Sequence, residues 1–278
     1  MTGGYAVTKE PGTDRFARRF HEAGFSVLAF DHRRLGESGG QPRQVIRLRD
    51  QLADWQAAIG YVRTLPDVDP ARIAIWSFSL SGGHVFPVAA RNPDVAAAIA
   101  QTPNADGPAA TRNAARYQRP PAMLRFTGRA LLDAIGALAR RPPRLVPLTG
   151  TPGTVALLTT PDAQDTGRAL TPENYPDWRP EVAARSGLRA GFYRPGRLAA
   201  RVACPLLVVV ADQDQSALAE PSVRAARRAP RGELVRLAGS HYAPFLDAHE
   251  QVVEAELSFL RRHLTEPAPA AATTGGRP

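Results

Sequence analysis

Ala71-Arg-Ile-Ala-Ile-Trp-Ser-Phe-Ser-Leu-Ser-Gly-Gly-His-Val-Phe86 is the stretch whose reading decides the fold. Ile73, Ile75 and Trp76 read as a short buried strand. The small residues from Ser77 to Gly83 leave room for a sharp turn, and an apolar helix follows from about His84 to Arg91. Working outward, residues 12 to 23 form an amphipathic helix with Phe16, Phe20 and Ala23 on one face, closed by Gly24. Phe25 to Phe30 is a compact apolar strand, and the glycines and charges of Asp31 to Gly40 mark an irregular loop. Residues 47 to 64 place Leu48, Leu52, Trp55, Ile59 and Val62 at helical spacing, and Val95 to Ala100 is another short strand. Helix and strand alternate, which calls for crossovers and a parallel sheet.

That rhythm stops at residue 102. From there to residue 201 the chain shows no strand-like alternation, many prolines and helical pieces such as Ala122 to Arg140 and Pro180 to Arg189. A hundred residues between two sheet strands cannot be a simple crossover, so 102–201 is expected to form a mainly helical lobe over the sheet's functional ends. Its apolar residues Met123, Leu124, Phe126, Leu131 and Leu132 are expected to form its own core. The sheet resumes with Pro205 to Val210, a helix from about Glu220, the strand Glu233 to Leu237, and a last helix from Asp247 to Leu264. The core therefore comprises 1–101 and 202–265, and 266–278 reads as a disordered tail.

With 278 residues, 44% of them hydrophobic, the chain can bury a large core. No apolar run approaches the ~18 residues of a membrane span and no signal-peptide pattern opens the chain, so a cytoplasmic protein with no membrane partner is expected. Cys204 is the only cysteine, which excludes an intrachain disulfide and a cysteine-based metal site; beside Pro205 it reads as a core residue. The net charge of +9 raises the question of nucleic acid. The basic residues, nearly all arginine, look scattered and mixed with acids, no basic block interleaves with aromatics, and no nucleic-acid partner is expected.

A serine flanked two residues either side by small residues, on a strand-to-helix turn, is the pattern of a nucleophile elbow. Ser79 fits, with Ser77 and Ser81 standing where G-x-S-x-G has glycines; Ser81, flanked by Ser79 and Gly83, is the alternative centre. A serine hydroxyl needs an imidazole to take its proton, and the imidazole needs a carboxylate to orient it. In a doubly wound sheet these lie on loops at the carboxyl ends of strands. Asp212 and Asp214 follow the strand 205–210, and His241 follows the strand 233–237. Ser79, Asp214 and His241 are the expected triad, with Asp212 the rival acid and His84 and His32 the rival imidazoles. His21, His249 and His263 read as helix-surface residues.

Gly4-Tyr5 with Lys9-Glu10, Phe25 to Asp31 running into Gly36-Glu-Ser-Gly-Gly40, the Trp76 to His84 elbow, Val208 to Asp214, and Gly239-Ser-His241 together resemble the α/β-hydrolase superfamily. The resemblance is nearest to its bacterial serine hydrolase branch, with dienelactone hydrolases and X-Pro dipeptidyl-peptidase-like hydrolases. It covers both ends of the chain but not the lobe. It implies an α/β-hydrolase fold with helices on both faces of a mostly parallel sheet, a cap insertion, and no cofactor or metal. It also implies an oxyanion hole from the backbone N–H groups of Tyr5 and Leu80. The implied reaction is cleavage of a small-molecule carboxylic ester, thioester or activated amide through an acyl-enzyme, with an apparent pKa near ~6 to 7 for the imidazole. An acyltransferase with the same triad and a truncated, impaired relative are the other readings, and a homo-oligomer is left open. Related chains carry a strand between those at 25–30 and 72–77; here it is missing after Met1. A native upstream extension, if the gene encodes one, is expected to fill that gap and raise solubility and activity.

Overall fold

The computed structural model describes residues 1–265, so the expected tail lies outside the described residues. Helices α1 (Thr13–Glu22) and α2 (Leu48–Val62) precede β1 (Ala74–Phe78), α3 (Ser79–Arg91) and β2 (Ala97–Gln101). The insertion then runs through α4 (Gly107–Tyr117), α5 (Pro120–Leu138), β3 (Leu145–Pro147), α6 (Thr166–Leu170), β4 (Glu181–Ala183) and α7 (Ala184–Ala190). The alternation is completed by β5 (Leu206–Ala211), α8 (Ala219–Arg228), β6 (Gly232–Leu237) and α9 (His249–Leu260).

Strands β1, β2, β5 and β6 form one parallel sheet in that order. The runs Ala97–Gln101 and Leu206–Ala211 are buried throughout, as a central strand covered on both faces requires. The pleat then divides their side chains between two cores. Leu207 and Val209 join Trp76, Phe78 and Ile99 against α1 and α9, while Leu206, Val208 and Val210 join Ile75 and Ala98 against α2, α3 and α8. On the first side Phe16, Trp76, Phe78 and Phe245 stack with ring centroids 4.7 to 6.2 Å apart. That cluster fixes α1, the end of β1 and the segment after β6 to one another.

Four local expectations change. Phe25–Phe30 is not a strand: its ladder bonds reach only Met1, through the Met1 ammonium to Leu28 O (2.6 Å) and Phe30 N–H to Met1 O (3.1 Å). Thr2 in turn bridges Ser77 in parallel, so Met1 and Thr2 alone stand between 25–30 and β1 among the described residues. Beneath them a cavity of about 430 Å³ is lined by Phe25 to Leu28 on one side and Ile73 to Trp76 on the other. The elbow helix begins at Ser79 itself, not at His84, because the glycines let α3 start against the sheet. The insertion contains an antiparallel pair, β3 with β4, where only helices were expected, and Pro180–Arg189 is split between β4 and α7.

The last change concerns α5. Leu124, Leu131 and Leu132 are not core residues but 75%, 51% and 55% exposed, and Met123 is 38% exposed. The buried side of the helix carries Ala122, Ala130 and a carboxylate: Asp133 accepts from Arg144 N–H (2.8 Å), Arg185 N–H (3.0 Å) and Arg185 Nη1 (3.1 Å). A buried charge is tolerated when paired and hydrogen-bonded in this way, and it ties α5 to α7 beside the apolar packing of Ala130 and Phe126 with Ala184 and Leu188.

Candidate active site

Ser79 sits where β1 becomes α3, with φ 59°, a left-handed conformation that costs a non-glycine residue on the order of 1–3 kcal/mol. The turn is held by Asn104 N–H donating to Ser79 O at 2.9 Å, and by Phe78 packed on Phe245. Close approach explains the small neighbours. A Cβ on Gly82 would lie 2.9 Å from Gln101 O, and one on Gly83 2.6 Å from Asn104 O. Ser77 and Ser81 are tolerated in place of glycines because both hydroxyls find acceptors in the N-terminal segment. Ser77 Oγ donates to Thr2 O (2.8 Å) and Ser81 Oγ reaches Gly4 O (3.5 Å). Ser81 is fully buried and engaged there, which leaves Ser79 as the hydroxyl facing the cavity.

His241 Nε2 accepts from Ser79 Oγ at 3.0 Å, and its Nδ1 lies 2.7 Å from Asp214 Oδ2. A carboxylate only accepts, so Nδ1 carries the proton and Nε2 presents its lone pair to the serine. Asp214 Oδ1 accepts from Ala217 N–H (2.6 Å), which fixes the carboxyl plane. Burial by itself would lower the His241 pKa, but Asp214, and behind it Asp162, hold it above the ordinary value of 6.5. The rival groups point elsewhere. Asp212 is exposed and paired with Arg236 at 2.7 Å. His84 is locked between Tyr193 OH (2.8 Å) and Gln51 Oε1 (2.9 Å), with burial, then His32, pushing its pKa down to about 3. His32 faces Asp54 at 3.5 Å, away from Ser79. His21 is exposed, while His249 and His263 are half-buried, His249 packing edge-on against Phe16. Burial pushes the Cys204 thiol up to about 11, so it stays protonated and inert.

The Gly4–Val7 turn approaches Ser79 closely: a Cβ on Gly4 would lie 2.8 Å from the Phe78 ring and 3.3 Å from Ser79 Cβ. Tyr5 and Leu80 both line the cavity beside Ser79, and Leu80 N–H belongs to the open first turn of α3. Ala6, at φ 54°, holds this turn in shape, and Trp178 Nε1 from the insertion donates to Ala6 O at 2.8 Å.

Two groups of the insertion were not picked out from the sequence. Asp162 accepts from Gln215 N–H (2.7 Å), Ser216 N–H (3.1 Å) and Ser216 Oγ (2.8 Å), and Asn113 Nδ2 donates to Gln215 O (2.8 Å). Together they clamp the turn that carries Asp214. Trp178 is the other, through the Tyr5 turn. Both lie in the stretch without periodicity, and only a Thr-Thr-Pro-Asp sequence, which reads as a plain turn, marks Asp162. Among the described residues no three His, Cys, Asp or Glu gather as metal ligands, and no helix is long and apolar enough to cross a membrane.

A parallel sheet with helices on both faces, a strained serine at a strand-to-helix turn, and an acid and imidazole after the last two strands of that sheet define an α/β-hydrolase. The chain matches the family described as serine aminopeptidase, S33, over residues 11–240, and it belongs to that family. It is 38% identical to the quorum-quenching protein AidA of Acinetobacter baumannii over 265 residues, 94% of this chain and 85% of the relative. It is 39% identical to the thiohydrolase apmlB of Arthrinium phaeospermum over 103 residues, 37% of this chain and 34% of the relative. Among solved structures, the α/β hydrolase GrgF from Penicillium sp. sh18 superposes with a TM-score of 0.78 at 23% identity, covering 96% of this chain and 89% of the other. That likeness is one of fold.

Proposed function

We propose that the protein cleaves a neutral carboxylic ester or thioester with a largely apolar acyl group, through an acyl-enzyme on Ser79. The observation that carries this reading is the unbroken chain of hydrogen bonds Asp214–His241–Ser79, whose serine lines a cavity of about 490 Å³. Its walls are mainly apolar, with Ala110, Ala114, Phe126, Leu157, Leu188 and Phe192 among them. Arg112 is the one charged residue among its described lining residues. An aminopeptidase needs a carboxylate to hold the substrate's ammonium group, and none lines this cavity; that favours an acyl ester over a peptide with a free amino end. The thiohydrolase name of one relative supports the thioester arm.

In this reading His241 Nε2 takes the Ser79 proton as Oγ attacks the carbonyl carbon. Charge develops on the carbonyl oxygen, where Tyr5 and Leu80 N–H groups stabilise it. The tetrahedral adduct collapses, the imidazolium gives its proton to the departing alcohol or thiol, and the acyl group stays on Ser79. A water, deprotonated by the same imidazole, then releases the acid and restores the serine. Transfer to an added alcohol uses the same groups, and the product formed with competing nucleophiles separates the two outcomes. The insertion caps the site in this scheme and sets the acyl group. The direct test is labelling by a fluorophosphonate probe. Wild type and Ser81→Ala are expected to label and Ser79→Ala not to; labelling that survives Ser79→Ala and vanishes in Ser81→Ala would overturn the assignment.

A further inference from the structure

The outer face of α5 carries a continuous apolar stripe. Leu124, Leu131, Ile135 and Leu138 recur at spacings of seven, four and three, which puts them on one side of the helix, with Leu132 beside them. Their exposures are 75%, 51%, 64%, 87% and 55%, an expensive arrangement for a surface that meets only water. The fourteen residue steps from Leu124 to Leu138 span about 21 Å along the axis. The inner face of the same helix, through Met123, Phe126 and Thr127, lines the cavity above Ser79. Phe192, also at the cavity, is 83% exposed.

The charge around this stripe is one-sided. Between Gly107 and Thr160 the sequence holds eight arginines and a single acid, Asp133, so the basic residues are not mixed with acids here as they are elsewhere. Asp133 is buried and spent on Arg185. All eight arginines are exposed, and none forms an ion pair with a described residue. Arg119 precedes α5, Arg125 and Arg129 flank the stripe, and Arg140 and Arg141 follow the helix.

We propose that this face of α5 docks on an anionic phospholipid bilayer, lying in the plane of the interface with its leucines below the phosphates and its arginines among them. Exposed leucines in line with unpaired arginines are the chemistry of an interfacial helix, in which burial of apolar area and attraction to anionic headgroups act together. Guanidinium groups also match phosphate oxygens in fork geometry. A second copy fits less well: face-to-face packing of two such helices brings arginine against arginine, with no exposed acid on α4 or α5 to offset the repulsion. The proposal concerns binding and does not depend on the reaction assigned to Ser79.

The test is cosedimentation of the full chain with vesicles, read without turnover. Binding is expected to phosphatidylcholine vesicles that contain about one-third phosphatidylglycerol and not to phosphatidylcholine alone. It should be lost between about 20 mM and about 500 mM salt. Arg125→Gln/Arg140→Gln/Arg141→Gln is expected to weaken partitioning about a hundredfold. Leu131→Ser/Ile135→Ser should weaken it too, and both variants should keep the wild-type Tm because the side chains they change are exposed. If the leucine variant fails to fold, the arginine variant alone decides. Equal partitioning of wild type and the arginine variant, or equal binding to both vesicle types, overturns the proposal. So does a dimer in solution that Leu131→Ser/Ile135→Ser splits, which would give the stripe to a second copy.

Discussion

Replacing Asp214 by Asn keeps the volume of the side chain but presents an N–H₂ or a neutral oxygen to His241 Nδ1, so the imidazole loses both its tautomer and the partner of its cation. By the behaviour of other Ser-His-Asp triads, kcat is expected to fall about 10⁴-fold. Asp212→Asn, which only loosens a surface pair with Arg236, is expected to leave turnover near wild type. Steady-state kinetics of the two variants checks the assignment of the acid. Asp162 makes a subtler contribution, as a positioning residue. His241 must be neutral to accept the Ser79 proton, so activity rises with pH through its pKa, which lies above 6.5. The Asp162 anion favours the imidazolium. Asp162→Asn therefore moves the acid limb of the pH–rate profile to lower pH, and kcat falls about tenfold as support for the developing cation weakens. A purely structural strut would lower kcat and leave the limb where it is.

Among elements, the segment after β6 is the one on which the site leans most. It carries His241 and, four residues on, Phe245, whose ring contacts Phe16 of α1 at 5.5 Å and Phe78 of β1 at 4.7 Å. Phe245, on the same segment as His241, is thus also a fully buried part of the core. Phe245→Ala leaves a cavity beside Phe78, next to Ser79, and in the segment that carries His241. It should cost about 3–5 kcal/mol in urea unfolding, with a loss of turnover at temperatures where the variant is still folded. A variant that loses stability but keeps full kcat would show that the loop holds its shape without the ring.

For the whole molecule, the pH dependence of stability is coloured by one buried acid. Glu256 on α9 is fully buried, accepts from Trp76 Nε1 at 3.0 Å through one oxygen, and has no partner for the other. Burial raises its pKa well above the ordinary carboxylate value. The folded protein therefore holds this proton while the unfolded chain releases it above about pH 4.3, and stability is lost as pH rises through that window. Glu256→Gln keeps an acceptor for Trp76 and has no proton to lose. Its Tm is expected to exceed that of wild type by several degrees at pH 8 and to converge with it near pH 4. A constant difference across the range would place the effect in packing instead of ionisation.

The sequence by itself determined the alternation of helix and strand around a parallel sheet, and it singled out Ser79, Asp214 and His241 as the candidate triad. Each of these is written locally: in runs of Val, Leu and Ile that suit a strand buried on both faces, and in small residues that suit a strained turn. What it left open was settled by contacts between residues far apart in the chain. The sequence favours Ser79 over Ser81, and the long-range contacts point the same way: Ser81 is buried against Gly4, 77 positions away, while Ser79 Oγ meets His241. Asp212 and Asp214 are separated by which of them turns inward to His241. Phe25–Phe30 has the composition of a strand but lacks a ladder, because a strand exists only with its partner. Asp162 and Trp178 carry no periodic or motif signal, since their roles are hydrogen bonds to loops elsewhere in the chain. The leucines of α5 read as core by composition. Only the tertiary structure, by holding the helix on Asp133 and Ala130, turns them to the outside.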